Sequence, residues 1–199
     1  MNVDAAQLKT ALQQWAQAMR AAAPELNALD GRLGDGDLGA TLDKCAANIQ
    51  SVLPDTPERL DALFKSAAQS CAKASGSSFG TLLAVAFLGA SKWVGERASL
   101  SRSDIAELLH HSVANLSARG GAALGDKTML DALDAIARAL DRAGDDGDLR
   151  ATARRAASDA LDCFRSRPNR IGRARMFAEK TIGLDDPGMV AILRMSEAL

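Results

Sequence analysis

Residues 29–42 read LDGRLGDGDLGATL. Asp30, Asp35 and Asp37 fall within eight positions, with Gly31, Gly34, Gly36 and Gly39 among them. Three ionised carboxylates at this spacing repel one another unless a proton or a cation comes between them. Oxygen donors alone suit a hard ion, Mg²⁺ or Ca²⁺, rather than a thiophilic metal. The alternating acidic pattern of a calcium loop is missing, because Leu33, Leu38 and Leu42 stand where ligands would be needed. Mg²⁺ uses one or two carboxylates and bridges to phosphate oxygens, so the trio has room for two such ions. The residues that follow, GATLDKCAANI, read as a helix start, whose free N–H groups and dipole favour an anion. A divalent cation beside a helix N-terminus is a phosphate site; without a ligand the same residues would be a solvated acidic loop. A second stretch, GDDGDLR at 144–150, lacks a glycine after its last acid and runs into basic residues. It reads as an interhelical turn with Asp148 as N-cap.

The elements that must position this loop are helical. Alanine and leucine dominate the 199 residues, tyrosine is absent and β-branched runs are scarce. Leu8, Leu12, Trp15 and Met19 form one apolar stripe over 5–23. Residues 57–74 open on Pro57 and repeat Leu60, Leu63, Phe64 and Ala67 on one face. TLLAVAFLGASKWV, at 81–94, is apolar nearly all round and is expected to be the most buried helix. Residues 101–120 open with Ser101 and Asp104 at capping-box spacing and stop at Gly120 and Gly121. Three further amphipathic segments follow. The fold class expected is all-α: one domain, 1–199, built as an up-and-down barrel or bundle of about eight antiparallel helices. In that topology, loops separated by an even number of helices share an end. The glycine-rich loops at 30–39, 74–80, 119–129 and 182–188 would then meet in one site.

These loops together resemble the nucleotide-binding L subunit of the dihydroxyacetone kinase family. LDGRLGDGDLG is similar to that family's metal loop, ASGSSFG to its phosphate-side loop, GDKTMLDAL to a characteristic internal segment, and GRARMFAEKTIGLDDPG to its C-terminal segment. The resemblance implies a barrel of eight helices that binds ADP or ATP at one end through two Mg²⁺ ions. It implies Asp30, Asp35 and Asp37 as metal ligands. Leu38, Gly39, Ala40 and Thr41 would offer backbone groups to the phosphates, with Ala74 and Ser75 lining the phosphate side. Gly120 and Met129 would flank the adenine or ribose, and Arg173, Asp186, Pro187 and Gly188 would close the pocket. In the family a separate K subunit holds the ketose, and this chain offers no second domain to do so, so a K partner is expected. Two departures from the pattern stand out: Leu38 occupies a position where the family usually has histidine, and Leu184 and Asp185 stand where it usually has His-Gln.

The remaining features call for plainer roles. Net charge is −1, which gives no reason to expect nucleic acid or an anionic membrane as partner. No apolar run is long enough to span a bilayer, and the first residues do not read as a signal peptide. Cys45, Cys71 and Cys163 have no CxxC spacing and read as buried free thiols of a cytoplasmic protein. His110 and His111 lie mid-helix, Met176 and Met195 read as packing residues, and the C-terminal arginines as a solvated face. The function expected is a phosphotransferase subunit acting on dihydroxyacetone or a related ketose, its donor either ATP or a phosphohistidine carrier protein. The alternatives are a non-catalytic nucleotide sensor that binds a regulator and, third, a calcium-binding or purely structural helical protein.

Overall fold

A computed structural model of the chain describes residues 2–74, 76–143 and 148–198. Eight α-helices carry these residues: α1 (Ala5–Leu33), α2 (Leu38–Val52), α3 (Leu60–Ala74), α4 (Ser78–Val94), α5 (Arg102–Gly120), α6 (Met129–Ala143), α7 (Leu149–Arg165) and α8 (Pro187–Glu197). A 3₁₀ helix, Ala174–Thr181, precedes α8, and Val3–Asp4 pairs antiparallel with Ser99–Leu100 in a two-strand ribbon. Each helix packs on the next, and α8 returns to α1, closing the ring. The all-α expectation and the helix count therefore hold for the described residues.

The caps follow from the sequence. Ser101 and Asp104 form the expected capping box, and Asp4 and Gln7 form another at the start of α1. Asp148 caps α7, as expected, while residues 144–147 of that turn lie outside the described residues. Gly121 ends α5 in the left-handed region at φ 71°. The core is filled by the apolar stripes, with Met19, Leu26, Leu42, Ile49, Leu63 and Met189 fully buried. Each such side chain contributes roughly 1.5–3 kcal/mol.

Four expectations are corrected. The first helix does not stop near residue 23 but runs through Pro24 to Leu33. A buried stripe of Ala22, Leu26 and Leu33 continues beyond the proline and outweighs its missing hydrogen bond. Asp30 and Gly31 consequently sit in the last helical turn, not in a loop. Second, α3 starts at Leu60 rather than Pro57. Third, α4 is not the most buried helix: Leu88 is 43% exposed and most of its apolar residues are half-buried. A single ring of helices leaves each one an outward face, however apolar its sequence. Fourth, Cys163 and Met176 are exposed, whereas Cys45 and Cys71 are buried as expected.

Candidate functional site

The connections that follow α1, α3, α5 and α7 gather at one end of the ring, as the alternation of helices requires. They wall a cavity of about 560 Å³, a volume in the range of small-molecule sites.

The acidic trio occupies its mouth. Asp30 is held by the chain itself: its Oδ2 accepts hydrogen bonds from the N–H groups of Asp37 (3.0 Å) and Leu38 (3.3 Å). Gly34 is required beside it, since a Cβ there would lie 2.5 Å from Asp30 Oδ1. Gly36 turns the chain at φ 75°, a conformation open to glycine. The result brings one carboxylate oxygen from each of Asp30, Asp35 and Asp37 within 4.8 Å of the others. The cation that meets them is Arg173, a further lining residue, whose guanidinium pairs with Asp35. An arrangement that draws in a guanidinium suits a hard divalent cation equally well.

Of the residues expected here, Asp30, Asp35, Asp37, Leu38, Gly120, Met129, Arg173, Asp186, Pro187 and Gly188 line the cavity. Gly39, Ala40 and Thr41 are not on its wall. Gly39 packs α2 on α1, where a Cβ would collide with the Ala23 carbonyl oxygen. The Ala40 N–H donates to Asn27 Oδ1 (3.0 Å) and the Thr41 N–H to the Asp37 carbonyl (2.9 Å). Thr41 itself is buried. The helix start thus uses most of its N–H groups internally. Ala74 ends α3 behind the wall, and Ser75 lies outside the described residues. Of the two family departures only Leu38 reaches the cavity; Leu184 does not, and Asp185 is engaged by Arg165 at 2.7 Å.

The sequence placed the 74–80 loop at the site but did not single out its wall residues Ser77, Ser78 and Phe79, nor Thr81 beyond it. Ser77 caps α4, its Oγ accepting from the Gly80 N–H, and Ser78, Phe79 and Thr81 face the cavity with it. The Ser-Ser-Phe-Gly order after Gly76 was the available signal. On the wall itself, Asp186 caps α8 through the Met189 N–H (2.8 Å) and accepts from Asn169 Nδ2 (2.8 Å). Burial pushes its carboxyl up to about 6, against the lowering effect of those donors and of the Lys127 charge. Asp131 accepts from the Gly125 and Thr128 N–H groups, and burial raises its carboxyl above the usual range. Lys127 is buried and its ammonium is pushed down by desolvation.

An all-helical ring with a carboxylate trio at one open end, opposite glycine-rich turns, defines a class of small helical ligand-binding barrels. The profile of the DAK2 domain matches residues 32–199, and the chain belongs to that family. It is 25% identical to the ADP-binding subunit of the PEP-dependent dihydroxyacetone kinase of Escherichia coli, over 87% of this chain and 85% of that one. It is 34% identical to the D-erythrulose kinase of Mycolicibacterium smegmatis, over 89% of this chain and 32% of that one. The dihydroxyacetone kinase of Citrobacter freundii is 30% identical over 87% of this chain. Its crystal structure with AMP-PNP and Mg²⁺ superposes with a TM-score of 0.76 over 97% of this chain and 33% of that one. The chain therefore spans about a third of the two larger kinases and most of the length of the separate subunit. Among the described residues no helix is long and apolar enough to cross a membrane.

Proposed function

We propose that the chain is the nucleotide-binding subunit of a ketose phosphotransferase, holding ADP or ATP with Mg²⁺ and delivering the phosphoryl group to dihydroxyacetone or a related ketose on a partner K subunit. The observation that carries this reading is the convergence of Asp30, Asp35 and Asp37 within 4.8 Å on the lining of a cavity that Arg173 also lines. Asp30, Asp35 and Asp37 would hold the metal, with oxygen donors enough for two ions. Bound there, Mg²⁺ would neutralise phosphate charge, the main requirement of phosphoryl transfer. Arg173 would exchange its Asp35 partner for a phosphate oxygen, and Gly120 and Met129 would flank the nucleoside. Leu38 would face the phosphate side, with Gly39, Ala40 and Thr41 holding the start of α2 beneath it. Asp186, Pro187 and Gly188 close the wall opposite. The acceptor is assigned to a partner because a relative matched over most of its own length is a separate ADP-binding subunit of a dihydroxyacetone kinase.

A protein partner also accounts for the exposed apolar side chains at the same end. Leu124, Met176, Phe177 and Ile182 are exposed, Met176 to 74%, on the two segments that flank the mouth. Exposed apolar groups on these connections would offer a partner protein apolar contacts. The donor to the bound nucleotide is free ATP or a phosphohistidine carrier protein. A second reading, a non-catalytic nucleotide sensor, draws on Leu38, which puts an apolar group on the wall beside the metal ligands. Calorimetry tests the first step: ADP binds with Mg²⁺ and fails to bind without it. Reconstitution with a ketose-binding subunit tests the second. Transfer to dihydroxyacetone or erythrulose supports the kinase, and nucleotide binding with no turnover supports the sensor. Equal ADP affinity with and without Mg²⁺ overturns both.

A further inference from the structure

We infer that Lys127, which does not line the cavity, positions Arg173 within it by pinning both ends of the excursion that carries Arg173. The inference rests on the reading of the cavity as a nucleotide site. Lys127 is 1% exposed and stands at φ 63°, in the left-handed region that side chains with a Cβ seldom adopt. Such a conformation persists where the surroundings over-determine it. The Lys127 ammonium donates to the carbonyl of Arg167 at 2.8 Å and to that of Thr181 at 2.9 Å. Those two carbonyls are the entrance and the exit of residues 168–180, the stretch that leaves α7, forms the cavity wall at 171–174 and returns before α8. An ammonium has three donors and no acceptor, so it can hold two carbonyls at once.

Asn169 completes the clasp. Its N–H donates to Thr181 Oγ1 (2.8 Å), and its amide donates to the Lys127 carbonyl (3.0 Å) and to Asp186 Oδ2 (2.8 Å). The Arg170 N–H donates to the Asp126 carbonyl (3.1 Å). The excursion is thus anchored at 167, 169, 170 and 181 on the loop before α6. Beyond these anchors residues 175–180 are all exposed, and Ala178 interrupts the 3₁₀ helix at φ 45°. The clasp at its base is therefore what fixes where Arg173 points.

The test uses the full chain with Lys127→Met, Arg173→Met and the double variant. ADP affinity is measured with Mg²⁺ by calorimetry, and Mn²⁺ binding alone by electron paramagnetic resonance. Lys127→Met is expected to lose about tenfold or more in ADP affinity, while Mn²⁺ affinity and helical content are kept. The double variant is expected to bind ADP no worse than Arg173→Met, because Lys127 acts through Arg173. Additive losses, or a loss of Mn²⁺ binding in proportion, overturn the inference. If Lys127→Met fails to fold, Thr181→Val decides. It keeps the ammonium and removes the hydroxyl that holds Asn169, and several-fold weaker ADP binding, non-additive with Arg173→Met, is expected; unchanged affinity overturns the inference. A wild-type chain that binds no ADP overturns the functional reading and this inference with it.

Discussion

The two ends of the ring join antiparallel helices with different mixes of local and long-range bonds. At the end where α2 meets α3 and α4 meets α5, the Val3–Asp4 and Ser99–Leu100 ribbon and the Lys9 bond to the Pro54 carbonyl join distant segments, while the helix ends themselves are satisfied close by in the chain. Thr56 Oγ donates to the Val52 carbonyl, Arg59 pairs with Asp61, Arg97 donates to the carbonyls of Trp93 and Val94, and Ser101 and Asp104 cap α5. Leu60, Phe64, Ala90, Val94, Leu100 and Leu108 fill the space beneath as a separate apolar cluster. At the other end the partners come from distant parts of the chain. Asp30 holds residues 37 and 38, Asn27 holds Ala40, Lys127 holds residues 167 and 181, and Asn169 reaches Asp186. That end is left open, with a cavity. Local capping closes an end cheaply. Long-range bonding costs more chain ordering, and around the opening it holds side chains from several turns.

The largest effect separating the two ends is expected from Asp35→Asn or Asp37→Asn. Either should weaken Mg²⁺-dependent ADP binding by well over tenfold, about 1.4 kcal/mol or more. Helical content should be unchanged, since relieving like-charge repulsion costs the unliganded fold little. Calorimetry with and without Mg²⁺ reads it, and wild-type affinity in both variants would remove the metal assignment. Next comes Gly39→Ala. Its Cβ would collide with the Ala23 carbonyl and lie 2.8 Å from Asn27 Oδ1, forcing α2 away from α1. A loss of about 1–3 kcal/mol in stability is expected, and ADP binding should fall with it, because the same helix start carries Asp37. Thermal melts alongside calorimetry should show the two losses together.

Ser101→Ala sharpens the contrast from the closed end. Removing that cap should cost about 1 kcal/mol, with ADP affinity left as it was. A change in affinity would show that the ends are coupled. The remaining effect expected is on pH dependence. The Asp186 carboxyl is held up to about 6 by burial, whereas an unfolded aspartate releases its proton near 3.8. Between those values the folded chain binds more protons, so this group's contribution is fully present below the lower value and is lost as pH rises through about 6. Asp186→Asn keeps a capping side chain and should flatten that part of the stability–pH curve. Denaturant midpoints taken across the window measure it, and an unaltered slope would place the titration elsewhere.

How the acidic trio was legible and its supports were not follows from distance along the chain. Asp30, Asp35 and Asp37 are neighbours in sequence, so their mutual repulsion and their oxygen chemistry are visible without a fold. The meeting of four loops at one end was legible as well, because alternating helices leave no other arrangement. The apolar stripe of Leu12, Trp15 and Met19 announced its buried face, and Ser101 and Asp104 their cap, since both signals lie within a turn or two of helix. Pro24 misled by the same locality: its cost is a local term, and the burial of Leu26 and Leu33 that overrides it is not.

The sequence by itself determined the helical class, the stripes, the caps and the carboxylate chemistry, all interactions between residues a few positions apart. Only the tertiary structure decided that Gly39 serves helix packing rather than the cavity wall, that Leu38 faces the cavity while Leu184 does not, and that α4 keeps an apolar face outward. It alone showed Lys127 beneath the site, joined to carbonyls 40 and 54 positions away. The physical reason is burial. A lysine in a sequence reads as a solvated charge, and only the packing around it shows which carbonyls have replaced its water.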